Sequence, residues 1–292
     1  MIKLLNLDQG VLNALHLFAD QKLPSLKLPH FKRPLIVGSG NAAVTGRILF
    51  EDKDAVFADE SNYVQKLNAL KNIDGAILIS ASGGKHAPLI AQELKKRKKK
   101  VILLTTNANA PAREYVDEMV VFPKLPEPYT YNTSTYLGMI LSKTKEDPQQ
   151  ILHTIQKIKI LQNLKRYDSF FIIVPPEFDL IREMFLTKFD ELFGARVSAR
   201  IFTVEQAKHA KTIVPSEKEL FISLGWKNTL FGKDRWDVPL PKDADYGLMM
   251  ALGYYVIGQI QKQHSSYFKQ NIERYVKEAS KVFGERIEVM VG

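Results

Sequence analysis

Three short stretches carry residue types that could do chemistry. The first, Ser80-Ala81-Ser82-Gly83-Gly84-Lys85-His86, follows the apolar run Ala76-Ile77-Leu78-Ile79 and precedes a helical pattern opening near Pro88. Two hydroxyls, two glycines that admit close backbone approach and the open amides of a helix N-terminus make a phosphate cradle. Lys85 would add a charge-assisted bond. The alternative is a plain strand-to-helix turn with Ser82 as its cap. The second stretch, Gly38-Ser39-Gly40-Asn41-Ala42-Ala43, matches Gly-x-Gly-x-x-Ala, and Asp59 or Glu60 stands where a dinucleotide-binding fold keeps its ribose carboxylate. The third is Val204-Glu205-Gln206-Ala207-Lys208-His209. On a helix, the i, i+4 spacing puts Glu205 and His209 on one face, so the carboxylate could orient the imidazole. A surface histidine beside an unrelated glutamate is the alternative there.

The elements that must position these residues alternate. Residues 1–21 have helical apolar spacing, and a Pro-punctuated linker runs to Pro34. Strands are expected at 34–37, 55–58, 75–80, 101–105 and 118–122. Helical patterns lie between them, at 41–51, 87–98 and about 110–117. After helix over 133–166, broken at Glu146-Asp147-Pro148, the cycle restarts with strands at 169–174, 200–204 and 219–224, a helix at 178–193, and helix over most of 244–283. A strand-like end follows at 286–291. Parallel neighbours need helical crossovers, so this alternation predicts an α/β protein with doubly wound parallel sheets. The expected division is an N-terminal helix and linker over 1–32, a first α/β domain with the phosphate loop over 33–145, and a second with C-terminal helices over 146–292. In such sheets ligands bind beyond the carboxyl ends of the strands, where the Ser80 loop must lie.

Bulk properties exclude other classes. The chain of 292 residues is 45% hydrophobic and 25% charged, values of an ordinary folded protein. Absence of cysteine excludes disulfides, thiolate metal sites and a cysteine nucleophile. The N-terminus reads as no signal peptide, so the cytoplasm is expected. The most apolar stretch, 246–260, is shorter than the roughly 18 to 20 residues of a membrane span and reads as a buried helix. Much of the +9 net charge comes from Lys95-Lys96-Arg97-Lys98-Lys99-Lys100 at an expected helix C-terminus, where the dipole favours cations. No aromatic residues interleave with that run, so no nucleic-acid partner is expected. No histidine pair has metal-ligand spacing, and neither a P-loop nor a Gly-x-Ser-x-Gly elbow is present.

The order of motifs resembles the sugar isomerase (SIS) domain family, and within it the double-domain phosphoglucose/phosphomannose isomerases. The resemblance rests on Ile36-Val37-Gly38-Ser39-Gly40, on Ile77 to Gly84, and on Ile102-Leu103-Leu104-Thr105-Thr106-Asn107. It continues through 112–117 and Leu125-Pro126-Glu127 to Asn132-Thr133-Ser134-Thr135. It implies two flavodoxin-like three-layer subdomains and a homodimer with a shared active site. It also implies aldose–ketose isomerisation of glucose or mannose 6-phosphate to fructose 6-phosphate, without a cofactor. By the same resemblance, Ser80, Ser82, Gly83, Gly84 and Lys85 hold phosphate, Gly38, Ser39, Gly40 and Asn41 the sugar, and Glu127 with Thr133 match the family's pattern. His209 opens the ring, and a glutamate on the preceding helix moves the proton.

Glu191 is the nearest carboxylate for that last role. An ungapped count back from His209 lands on Phe193 instead, so Glu191 serves only with a two-residue shift. Lys85 or His86 replaces the threonine usual after the Ser-Gly loop, and Pro128 is followed by Tyr129 rather than arginine. A sugar-phosphate sensor that lost the base, and an NAD-dependent oxidoreductase using Gly38-x-Gly40-x-x-Ala43, are the competing functions.

Overall fold

A computed structural model describes residues 4–26, 28–264 and 266–291. In chain order the helices and strands are α1 (Leu7–Asp20), β1 (Pro34–Val37), α2 (Asn41–Phe50), β2 (Val56–Ala58), α3 (Tyr63–Ala69), β3 (Gly75–Ile79), α4 (His86–Lys96), β4 (Lys100–Thr105), β5 (Glu118–Val121), β6 (Glu127–Pro128), α5 (Thr133–Thr144), α6 (Pro148–Gln156), β7 (Ser169–Val174), α7 (Arg182–Phe193), β8 (Ser198–Thr203), α8 (Val204–His209), β9 (Glu219–Leu224), β10 (Arg235–Val238), α9 (Tyr246–Gln263), α10 (Tyr267–Gln270), α11 (Ile272–Phe283) and β11 (Met290–Val291). They form two units. The first comprises Leu17–Lys124 and Ser134–Lys145, the second Met1–His16, Leu125–Thr133 and Glu146–Gly292.

In the first unit five parallel strands follow the order β2-β1-β3-β4-β5, with Ile36 opposite Ile77 and Ile77 opposite Ile102. That is the doubly wound, flavodoxin-like order, whose switch point falls between β1 and β3. Strands covered on both faces read as unbroken apolar runs, and β1 and β3 are buried at every position. Leu35, Val37, Leu78 and Leu103 pack with Ile90, Ala91 and Leu94 of α4. The basic run closes α4 and is partly engaged: Lys95 pairs with Asp117 at 2.5 Å, Arg97 with Glu93 at 2.8 Å, and Lys99 donates to the Ile73 carbonyl.

In the second unit four parallel strands follow the order β10-β9-β7-β8, while β11 pairs antiparallel with β6. Phe171 of β7 stacks on Phe221 of β9 at 4.9 Å and meets Phe202 of β8 edge-on at 5.3 Å. The apolar stretch that opens at Tyr246 is the buried helix α9. Among the described residues no helix is long and apolar enough to cross a membrane.

Several local expectations change. The helix expected over 110–117 is a 3-10 turn, Pro111–Tyr115. The helix expected from Phe178 begins as a 3-10 segment with a kink at Phe178, after Pro175 and Pro176, and is regular only from Arg182. Residues 157–163 are not helical. β10 went unread because Arg235-Trp236-Asp237-Val238 alternates exposed with buried positions along an edge, so its charges hide a short apolar signal.

Candidate functional site

The Ser80 loop leaves the carboxyl end of β3 beside the switch point and enters α4. Its neighbour strand holds it. The Thr105 and Thr106 hydroxyls both donate to the Ala81 carbonyl at 2.9 and 3.0 Å, Asn107 Nδ2 donates to the Ser82 carbonyl at 3.0 Å, and the Ala112 amide donates to the Gly83 carbonyl at 3.0 Å. Gly83 is required here. Its φ is +62°, and a Cβ would lie 2.4 Å from the Ala110 Cβ. The serine hydroxyls accept from the loop's own amides, Ser80 from Gly83 at 3.1 Å and Ser82 from Gly84 at 3.2 Å. Two amides expected to be open are therefore engaged by the loop's own hydroxyls. Lys85 caps α4 with φ 44°, an unusual conformation for a side chain of its size.

The Gly38-Ser39-Gly40-Asn41 turn leaves β1 on the other side of the switch point and opens α2. A Cβ at Gly38 would sit 2.7 Å from the Ala42 carbonyl carbon, so the turn admits only glycine. Asn41 is buried, and its Oδ1 has no hydrogen-bond partner among the described residues. An unsatisfied buried acceptor beside a helix N-terminus suits a ligand hydroxyl. Glu60 accepts a short hydrogen bond from the Ser39 hydroxyl.

The second unit holds the other candidates. Glu127 is buried and accepts the Thr133 amide at 2.9 Å, satisfying one of the orphan donors at the start of α5. The pair is thus brought together as a cap, while the Thr133 hydroxyl stays unpartnered among the described residues. On α7 the buried positions are Met184, Phe185, Lys188, Phe189, Leu192 and Phe193, so a lysine sits on the apolar stripe. Lys188 is 0% exposed. Its ammonium donates to the Thr130 carbonyl and to Glu191 Oε2, the latter at 2.5 Å, and lies 5.5 Å from the centre of the Tyr254 ring. A buried ammonium is tolerated only with such partners.

Burial pushes the Glu191 carboxyl above the ordinary glutamate value, against the opposing pull of Lys188. The Tyr129 and Tyr275 hydroxyls are raised as well, first by burial and then by the neighbouring carboxylates, Glu191 among them. Lys188 and these tyrosines were missed in the sequence. A lysine in phase with Met184, Phe185, Phe189 and Leu192, three residues before a glutamate, is the signal that could have found the pair.

Phe193, the position reached by the ungapped count, is a core residue 5.7 Å from Phe189 and 6.5 Å from the His264 ring. His209 does close a helix, α8, started by a Thr203–Gln206 capping box. The expected carboxylate–imidazole pair is not made: Glu205 bonds Lys208 at 2.6 Å, and both Glu205 and His209 are exposed. On an exposed six-residue helix the flexible ammonium reaches the carboxylate first. Among the described residues no three His, Asp or Glu side chains are grouped to hold a metal.

No protein-family model matches the chain, and no curated protein matches it in sequence. Solved structures do. Glucosamine-6-phosphate deaminase from Thermotoga maritima superposes with a TM-score of 0.58 at 16% identity, covering 92% of each chain. The C-terminal domain of glucosamine-fructose-6-phosphate aminotransferase from Francisella tularensis gives 0.57 at 12% identity, covering 89% of this chain and 94% of that one. Tagatose-6-phosphate ketose/aldose isomerase from Escherichia coli gives 0.59 at 11% identity, covering 88% and 90%. The chain therefore shares the fold of these three structures, two parallel α/β units with a helical C-terminal segment.

Proposed function

We propose that this protein is a sugar-phosphate aldose–ketose isomerase acting on a hexose 6-phosphate. In this reading glucose or mannose 6-phosphate interconverts with fructose 6-phosphate through an enediol. The observation that carries it is Glu191, a partly buried carboxylate made more basic by its surroundings and held by the fully buried Lys188. Isomerisation needs a base that takes the proton from C2 of the open aldose and returns it to C1, and a base with a raised pKa does this best near neutral pH. Ser80, Ser82, Gly83, Gly84 and Lys85 hold the phosphate, and the turn from Gly38 to Asn41 holds the sugar, with the Asn41 amide oxygen accepting a hydroxyl. Glu127 and Thr133 keep the start of α5 in place. His209, exposed within its own chain, opens the ring in the site of a second copy, so the working form is a homodimer. No cofactor takes part. The names of the three superposed proteins, all of hexose 6-phosphate chemistry, support this substrate class.

Incubating the purified protein with fructose 6-phosphate and following both aldose 6-phosphates tests the reading, with glucosamine and tagatose 6-phosphates as parallel substrates. Turnover of none of them above buffer would sink it. One observation favours a sugar-phosphate sensor instead, namely that Glu205 serves Lys208 and that among the described residues no carboxylate pairs with the His209 imidazole. Calorimetric binding lost in Ser82→Ala, without turnover in the parent, is the result that selects the sensor. An NAD-dependent oxidoreductase would need Asp59 or Glu60 for a ribose; Asp59 accepts the Ser61 amide and hydroxyl, and Glu60 accepts the Ser39 hydroxyl. Thermal stabilisation by NAD alone would point to it.

A further inference from the structure

The geometry points to a second ligand site in the second unit, for the oxyanion of a small organic molecule. It is a recess of about 420 Å³ at the amino-terminal edge of the sheet, lined by residues that begin or approach β7 and β9 and by the segment after α8. None of its lining residues belongs to the sugar-phosphate site. Three features built into the recess specify the ligand.

The first is a guanidinium held by a ring face and a carboxylate. Arg200 lies with its guanidinium carbon 4.6 Å from the centre of the Phe171 ring, and its Nε and Nη2 donate to Glu219 at 3.3 and 2.7 Å. Glu219 is 4% exposed and also accepts the Ser169 hydroxyl at 3.0 Å. The carboxylate thereby neutralises Arg200 and fixes its plane, leaving Nη1 without a partner among the described residues. A guanidinium held this way presents its remaining donors without losing further side-chain freedom.

The second feature is Thr212. It is 8% exposed, lines the recess, and its hydroxyl has no hydrogen-bond partner among the described residues. Buried hydroxyls are nearly always bonded, so an unpartnered one just behind the wall of a cavity is a donor in reserve for a ligand atom. The third is charge. Arg200 and Glu219 cancel, while Lys211, which also lines the recess, has no ion pair among the described residues. The recess is left net positive and carries hydroxyl and guanidinium donors, the set that recognises a carboxylate or phosphate oxygen. Ile213 and Val214, 80% and 81% exposed, form an apolar lip against which a carbon skeleton would rest. The volume lies at the low end of small-molecule sites, which suits a metabolite rather than a macromolecule.

The test uses the full chain carrying Ser82→Ala, so that the Ser80 loop does not contribute. Calorimetric titration with 3-phosphoglycerate, malonate and inorganic phosphate at low ionic strength should show saturable binding of at least one of the two organic anions below about 1 mM. Lys211→Gln, at an exposed position, should weaken that binding about tenfold, the worth of one charge-assisted bond. Thr212→Val keeps the shape and removes the unpartnered hydroxyl. It should weaken binding several-fold while leaving the thermal midpoint unchanged or higher, since no protein hydrogen bond is lost. No saturable binding of either organic anion, with or without binding of inorganic phosphate, overturns the proposal, as does equal affinity in both variants. A lower thermal midpoint for Thr212→Val would show that the hydroxyl serves the fold and overturn its assignment to a ligand.

Discussion

In the first unit the candidate polar groups belong to a turn, and in the second they lie on a helix, Lys188 on its buried face and Glu191 beside it. The Ser80 loop gathers its donors from consecutive residues, and its neighbours Thr105, Thr106 and Asn107 hold its backbone in place. Lys188 and Glu191 depend instead on groups far away in sequence, the Thr130 carbonyl and the Tyr254 ring. A turn of this kind can be rebuilt around any sheet edge, because its geometry is local. An ammonium at zero exposure exists only where the rest of the unit supplies its partners. The same α/β plan therefore provides two kinds of polar cluster, one held by backbone groups within a turn and one held by side chains on a largely buried helix face.

The sharpest way to break this comparison is Glu191→Gln. We expect kcat for hexose-phosphate isomerisation to fall by about 10²–10⁴-fold, the range for loss of a general base, with fructose 6-phosphate binding kept. A rate above a tenth of the parent's would place the base elsewhere. The same variant tests the electrostatics. A carboxyl whose native pKa is raised binds more protons folded than unfolded. Its contribution is therefore complete below the ordinary glutamate value and is lost as pH rises through the raised one. Urea unfolding followed from about pH 4 upward should show the parent losing stability over that window and Glu191→Gln losing less.

Phe193→Ala separates the neighbouring position from the chemistry. Emptying a buried phenylalanine site should cost about 3–5 kcal/mol in denaturant unfolding, with the rate per folded molecule unchanged. A selective loss of kcat would instead restore the ungapped register. In the first unit Gly83→Ala should cost about 2–3 kcal/mol, from the positive φ and the 2.4 Å approach to Ala110, and should abolish sugar-phosphate binding seen by calorimetry. Retained binding would mean that the loop is only a turn. The smallest effect is expected for Glu205→Gln, under twofold in kcat/KM, because that carboxylate serves Lys208 on an exposed surface.

How much was legible in the sequence follows the same division. Gly38, Gly83 and the serines around them lie on loops that follow apolar runs, so strand, turn and helix start could be read in one pass along the chain, and the five-strand order agrees. The pairing of Glu205 with Lys208 rather than His209 could not be read, since i+3 and i+4 partners compete on an exposed helix and spacing alone does not choose. Phe193 and Glu191 differ by two positions on α7, and only packing shows which one enters the core.

By itself the sequence determined the alternation of strand and helix, the placement of the Ser80 and Gly38 loops at carboxyl ends of strands, and the absence of cysteine chemistry. All of these depend on neighbours within a few residues. Tertiary structure decided the burial of Lys188 with Glu191, the isolation of Thr212 in its recess and the clamping of Arg200 between Phe171 and Glu219. Those depend on which distant groups share a low-dielectric space, and the energy of a charge or hydroxyl there is set by its partners rather than by its place in the chain.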